Sequence, residues 1–248
     1  MLTQFQRLVI SPDQCHDRQI LLTEPQRHYL QRVLRLQPGD RFIAMDGQGH
    51  AWIAAITVAG QAELLEAMVT QNELPVAVTL VAALPKGTGF DDVVRQATEI
   101  GVASIVPVIS DRTLLKPSPQ KLERWRRIAQ EAAEQAERQL VPPILDPIDF
   151  ASYLNQPDRP TTKFICVTRA EAPSFLTCLQ NSEFRIPNSE FLKVAIGPEG
   201  GWTESEVESA IAAGYQPVSL GKRILRAVTA PIVALALIAA VLEERAID

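Results

Sequence analysis

The chain has little of what a metal or disulfide protein needs. Its three cysteines, Cys15, Cys166 and Cys178, are odd in number and show no metal or redox spacing, which points to a reducing compartment. The three histidines, His16, His28 and His50, lie outside the glycine-rich loops described below, so no metal site is expected. Positive charge is not in excess: the formal net charge is −5. No global field draws in nucleic acid, and any such contact falls to local patches. Long apolar runs are missing too. The least polar stretch, 227–242, contains Thr229 and Pro231 and is shorter than the roughly 20 residues of a membrane span. It reads as a buried helix. The N-terminus shows no basic segment leading into an apolar core, so no signal peptide and a cytoplasmic location are expected, with no membrane partner. The dinucleotide fingerprint G-x-G-x-x-G is absent, and Leu84-Pro85-Lys86-Gly87-Thr88-Gly89 lacks P-loop spacing, although Lys86 is placed to hold a phosphate.

What is present is concentrated late in the chain. The apolar run Leu192 to Ile196 reads as a buried strand and meets Gly197-Pro198-Glu199-Gly200-Gly201, which punctuates a tight turn. Thr203 stands at a helix N-cap with Glu206 three residues on, a capping-box spacing. Glycines let backbone approach a ligand, and a helix start offers free N–H groups. A second loop follows at Leu220-Gly221-Lys222-Arg223-Ile224-Leu225-Arg226. Two such loops at strand ends predict a ligand crevice.

The rest of the chain divides in two. Residues 1–72 carry short strands with glycine turns, as in a small barrel: Phe5 to Ile10, Gln19 to Leu22, Arg41 to Asp46, an alternation of Trp52, Ala54, Ile56 and Val58, and Leu64 to Val69. A helix from Thr23 carries His28, Arg32 and Arg35. Residues 73–248 alternate strands with helices, the pattern of a covered parallel sheet. Strands are expected at Val76 to Leu84, Ala103 to Ile109, Phe164 to Val167 and Pro217 to Leu220. Helices are expected after Thr88, capped with Asp91, over Pro119 to Leu140, and from Ala230 to Glu244. Basic residues Arg112, Lys116, Lys121, Arg124, Arg126 and Arg127 cluster, a pattern that serves either a solvated helix face or phosphate contact.

The paired loops, together with Glu99-Ile100-Gly101-Val102, Asp111-Arg112-Thr113, Glu131-Ala132-Ala133-Glu134-Gln135 with Arg138, and His28-Tyr29-Leu30 through Gly39-Asp40, resemble the RsmE family. These are 16S ribosomal RNA uracil-N3 methyltransferases of the SPOUT class, and the likeness spans nearly the whole chain. It implies a PUA-like RNA-binding barrel followed by an α/β domain with a trefoil knot. It also implies S-adenosylmethionine (AdoMet) as cofactor, a homodimer, and 16S RNA or the small ribosomal subunit as partner. The implied cofactor residues are Val167, Thr168, Ile196, Gly197, Pro198, Glu199, Gly200, Gly201, Leu220, Gly221, Ile224, Leu225 and Arg226. Arg226 or Arg112 is assigned to stabilising charge on the base, and Glu199 to accepting a proton or orienting the loop. RNA contacts are assigned to Arg7, Arg27, Arg32, Arg35, Lys86 and Arg124. One departure stands out: where the family usually has Thr-Glu-Thr, this chain has Ala227-Val228-Thr229. That leaves two alternatives beside the uracil-N3 enzyme: a weakened RNA-binding SPOUT protein, or a ribose 2′-O-methyltransferase.

Overall fold

Alternation in the first third of the chain builds a mostly antiparallel sheet. The computed structural model describes residues 5–57, 60–168, 171–181 and 191–245; Val58 of the expected alternation lies outside them. Strands β1 (Arg7–Val9), β2 (Cys15–His16), β3 (Gln19–Ile20), β4 (Arg41–Met45), β5 (Ala51–Ile56) and β6 (Ala62–Met68) pair in the order β1-β4-β5-β6-β3-β2. All neighbours are antiparallel except β1 and β4. Leu8, Ile20, Leu30, Phe42, Ala54 and Ala62 bury its inner face. The alternation in β5 slips at a register shift between Ile53 and Ala54, which leaves Trp52 and Ile53 both half-buried.

The expected helix from Thr23 forms with a capping box on Gln26, but its α-helical part, α1, is only Glu24–Arg27. It continues as a π-helix over His28–Val33, and Arg35 follows at φ 58°. The wider winding changes which side chains share a face.

This first compact unit comprises Met1–Glu73 together with Ala133–Val141. The second segment is stitched in by polar contacts. Glu134 accepts from the Val9 N–H at 2.8 Å, and Glu137 pairs with Arg7 at 2.8 Å. Arg138 is buried and its guanidinium pairs with Glu73 at 2.6 Å. Glu73 also accepts from the N–H groups of Gln139 and Leu140. A contiguous division after residue 72 therefore omits a piece of this unit.

The second unit, Leu74–Ala132 with Pro142–Asp248, holds an all-parallel sheet. Its strands β7 (Ala77–Ala83), β8 (Ser104–Ile109), β9 (Ile148–Asp149), β10 (Thr162–Cys166), β11 (Phe191–Ile196) and β12 (Gln216–Val218) run in the order β12-β10-β11-β7-β8-β9. Their side chains are buried in near-continuous runs, as both faces are covered. Helices α2 (Gly89–Glu99), α3 (Pro119–Gln135), α4 (Phe150–Leu154), α5 (Phe175–Gln180), α6 (Glu204–Ala212) and α7 (Ala230–Arg245) connect or follow these strands. Helix α7 packs on α2 and α5.

Two helix expectations are corrected. Thr88 occupies the N-cap of α2 but makes no side-chain cap. The Asp91 carboxylate instead accepts from Arg124 Nε at 2.8 Å and Trp125 Nε1 at 2.9 Å. Helix α3 stops at Gln135 rather than Leu140, because Glu137 adopts φ 62°, which a helix cannot continue through.

Candidate active site

The C-terminal ends of β10, β11 and β12 lie side by side, so the segments that leave them surround one space. A cavity of about 490 Å³ opens there. Val167 and Thr168 reach it from β10, and Ile196, Gly197, Pro198 and Gly201 from the β11 loop. Leu220, Gly221 and Leu225 reach it from the β12 loop. The two glycine loops do converge.

Their shape follows from their residues. The Gly201 N–H donates to the Pro198 carbonyl at 2.8 Å, closing a turn, and Gly201 itself leaves it at φ 70°, a conformation that glycine adopts without strain. Gly221 sits at φ 117°, and its N–H donates to Ser219 Oγ. A Cβ on Gly197 would lie 3.2 Å from the Trp202 nitrogen atoms, so the bare backbone is what lets the indole close over it. Trp202 stacks on Phe150 with centroids 4.3 Å apart, and its Nε1 is buried without a partner among the described residues. The capping box of α6 forms as its sequence predicts: Thr203 and Glu206 exchange side-chain and backbone hydrogen bonds.

Four of the expected cofactor residues do not line the cavity. The Glu199 carboxylate turns away to accept the Lys86 N–H at 2.9 Å. Gly200 lies under the Arg112 side chain. Ile224 is exposed, as is Arg226, whose carbonyl accepts from Thr229 and Ala230 at the start of α7. In the second loop Ile224 and Arg226 lie on either side of Leu225, which faces the cavity.

Other lining residues carry no motif. Val207, Glu208 and Ile211 come from the side of α6 that faces the cavity, and Glu171, Glu204 and Arg223 add charge at the wall. Helical spacing from Thr203 gives the α6 residues; nothing local marks Glu171. Cys166 also lines the cavity, but burial pushes its thiol well above the ordinary range, so it stays protonated and a poor nucleophile.

The expected RNA contacts fare unevenly. Arg7 is turned inward onto Glu137 with little exposure, and this removes it from the set. Arg27 pairs with Glu24, while Arg32 and Arg35 are exposed. In the second unit Lys86 is exposed, and Arg124 is engaged by Asp91. Arg126 pairs with Glu123 and Asp146 and Arg127 with Glu131, so half of the basic cluster is paired with carboxylates.

This arrangement has clear relatives. The RNA methyltransferase domain family matches residues 72–239, and the RNA methyltransferase PUA domain family matches residues 22–65. Ribosomal RNA small subunit methyltransferase E of Synechocystis is 52% identical over 240 residues, covering 96% of this chain and 78% of that one. The chain belongs to the RsmE family. A second RsmE, from Bacillus subtilis, is 28% identical over 88% of each chain. The crystal structure of the Neisseria gonorrhoeae RsmE bound to S-adenosyl methionine superposes with a TM-score of 0.85 at 33% identity, covering 96% of this chain and 98% of that one. The fold is thus the α/β SPOUT methyltransferase class with a PUA-like N-terminal unit. Against the RsmE pattern, Val228 has a structural counterpart. A Cβ built on Gly89 would lie 2.6 Å from Val228 Cγ1, so Val228 packs where only glycine leaves room.

Proposed function

We propose that this protein is an AdoMet-dependent methyltransferase acting on N3 of a uridine in 16S RNA of the small ribosomal subunit. One observation carries the reading: the paired glycine loops of the RsmE pattern meet around a single cavity at the strand ends. The residues present fit the cofactor. The volume falls within the usual range for small-ligand pockets. Ile196, Val207, Ile211 and Leu225 offer apolar wall for a purine. Glu171, Glu204 and Glu208 suit a ligand bearing sulfonium and ammonium charge, and Arg223 suits its carboxylate.

When bound, AdoMet supplies an electrophilic methyl group whose transfer leaves a neutral thioether. The protein's own tasks are to align the uracil nitrogen with that methyl and to favour loss of the N3 proton. Trp202 and the loop backbone exclude water from one side of the cavity. The exposed guanidinium of Arg226, on the second loop, is the cation assigned to charge spreading onto the base oxygens. RNA is gripped by exposed cations of each unit, Arg32 and Arg35 in the first and Lys86 in the second.

The protein acts as a homodimer in the cytoplasm. Supporting this, α7 is apolar nearly all round: Ala236 and Ala240 are exposed, and Ile232, Val233 and Leu237 are only half-buried. Sedimentation equilibrium at micromolar concentration giving twice the chain mass supports the dimer; a monomer removes it. For the activity, the protein is incubated with methyl-labelled cofactor and unmethylated small subunits. Label on uracil N3 is expected. Label on ribose, or on no RNA, overturns the reading.

A further inference from the structure

Arg112 and Glu206 both lie beside the cavity loop, yet neither points its charge into the cavity. Arg112 sits in a tight turn after β8. Thr113 N–H donates to the Ser110 carbonyl, Ser110 N–H donates to Thr113 Oγ1, and the two hydroxyls bond at 2.8 Å. From this braced turn, Arg112 Nη1 donates to the Gly200 carbonyl at 2.6 Å and to that of Trp202 at 3.4 Å. Its aliphatic stem crosses Gly200: a Cβ there would stand 3.0 Å from Arg112 Cδ. Gly200 is absent from the positive-φ glycines, so its backbone does not demand glycine. A methyl group there would instead press on the Arg112 stem, which must give by a few tenths of an ångström.

Glu206 fastens the same turn from the other side. One carboxylate oxygen accepts the Asp111 N–H at 2.9 Å, and the other accepts the Thr203 N–H at 2.7 Å. The Thr203 hydroxyl lies 3.1 Å from both Glu206 Oε2 and Asp111 Oδ2. A helix cap alone needs only the bond to Thr203. Glu206, just 9% exposed, spends its second oxygen on another segment of chain.

We infer that the Ser110–Thr113 turn is the mount that holds the first glycine loop in its cofactor-binding shape, with Arg112 and Glu206 as positioning residues. This rests on the cofactor reading above. It takes Arg112 out of the electrostatic role, since its guanidinium is committed to two loop carbonyls. It also gives Gly200, which does not line the cavity, a reason to be small: a side chain there pushes against the Arg112 stem. Gly197, Pro198, Gly201 and Trp202 all line the cavity from that loop, so a loop that sags costs cofactor affinity first.

The experiment titrates AdoMet into the wild-type protein and into Arg112→Ala, Arg112→Lys, Gly200→Ala and Glu206→Gln. Calorimetry gives Kd, and turnover is then measured at saturating cofactor across pH. Gly200→Ala is the decisive variant, because it displaces the Arg112 stem while every charge stays. Glu206→Gln sets an amide NH₂ against a backbone N–H. The expected result is a Kd raised about tenfold in Arg112→Ala and Gly200→Ala, with partial rescue in Arg112→Lys. Saturating turnover stays within about twofold and the pH profile does not move. Circular dichroism melts identify any variant that fails to fold, in which case the milder Arg112→Lys and Gly200→Ala decide. A fall in saturating turnover with unchanged Kd in Arg112→Ala, or unchanged Kd in Gly200→Ala, overturns the inference. Wild-type protein that does not bind AdoMet overturns the cofactor reading itself, a separate and recognisable result.

Discussion

Single residues carry two features that decide local geometry. The contact between Val228 and Gly89 leaves no room for a methyl group on residue 89. Gly89→Ala is expected to cost about 1–3 kcal/mol through overpacking, although alanine is the better helix former. Adding Val228→Ala should return most of that loss, and a double-mutant cycle on thermal melts reads the coupling. The second feature is Asp158. Burial disfavours its charged form, but hydrogen bonds from Lys193 and Lys163, at 2.8 and 3.0 Å, outweigh burial and hold its pKa below the ordinary value. A carboxyl whose pKa is lowered on folding stabilises the fold above its unfolded pKa, near 4, and loses that contribution as pH falls through the folded value. Asp158 is an exposed residue, so screening limits the pair: Asp158→Asn should lose about 0.5–1 kcal/mol at neutral pH and show a shallower acid limb in urea melts recorded between about pH 2 and 6.

Among elements, α6 joins local capping to the site. Thr203→Ala removes a cap worth about 1 kcal/mol and one hydroxyl shared between Glu206 and Asp111. The expected outcome is a lower melting temperature together with weaker AdoMet binding; a melt shift without any change in Kd would confine Thr203 to its helix. This element was legible in the sequence, because Thr203 and Glu206 sit at cap spacing and the partner atoms are three residues away. The parallel strands were legible for a similar reason: both faces are covered, so Val76 to Leu84 and Leu192 to Ile196 read as strands from their apolar residues. The cap of α2 was not. Thr88 and Asp91 have a plausible spacing, but Asp91 is drawn off by Trp125 and Arg124, 34 and 33 residues away. The end of α3 was also hidden, since Glu137 takes a left-handed conformation that only long-range pairing justifies. The lining of the cavity divides the same way: the glycine loops were visible as motifs, while Glu171 and the outward turn of Glu199 depend on which side of a loop each residue faces.

At the scale of the whole molecule, the first unit is made from two pieces of chain. Residues 1–72 alone lack Glu134 for Val9, Glu137 for Arg7 and Val141 for the Gly47 carbonyl. A fragment ending at residue 72 is expected to give poorly dispersed amide spectra, whereas the full chain gives a cooperative melt. Glu73→Ala in the full chain should cost about 3 kcal/mol, because the buried Arg138 loses the Glu73 carboxylate and two N–H groups lose their acceptor. A loss below about 1 kcal/mol would show that the Glu73 pairing does not hold the two pieces together.

That two-piece construction also sets an order of events at birth. The amino-terminal strands leave the ribosome well before the segment that completes them, which follows Glu73 by some 60 residues. At 5–20 residues per second, the gap is roughly 3–12 s. Throughout it the nascent barrel has an open flank, and β7, α2, β8 and most of α3 must emerge before that flank can be closed.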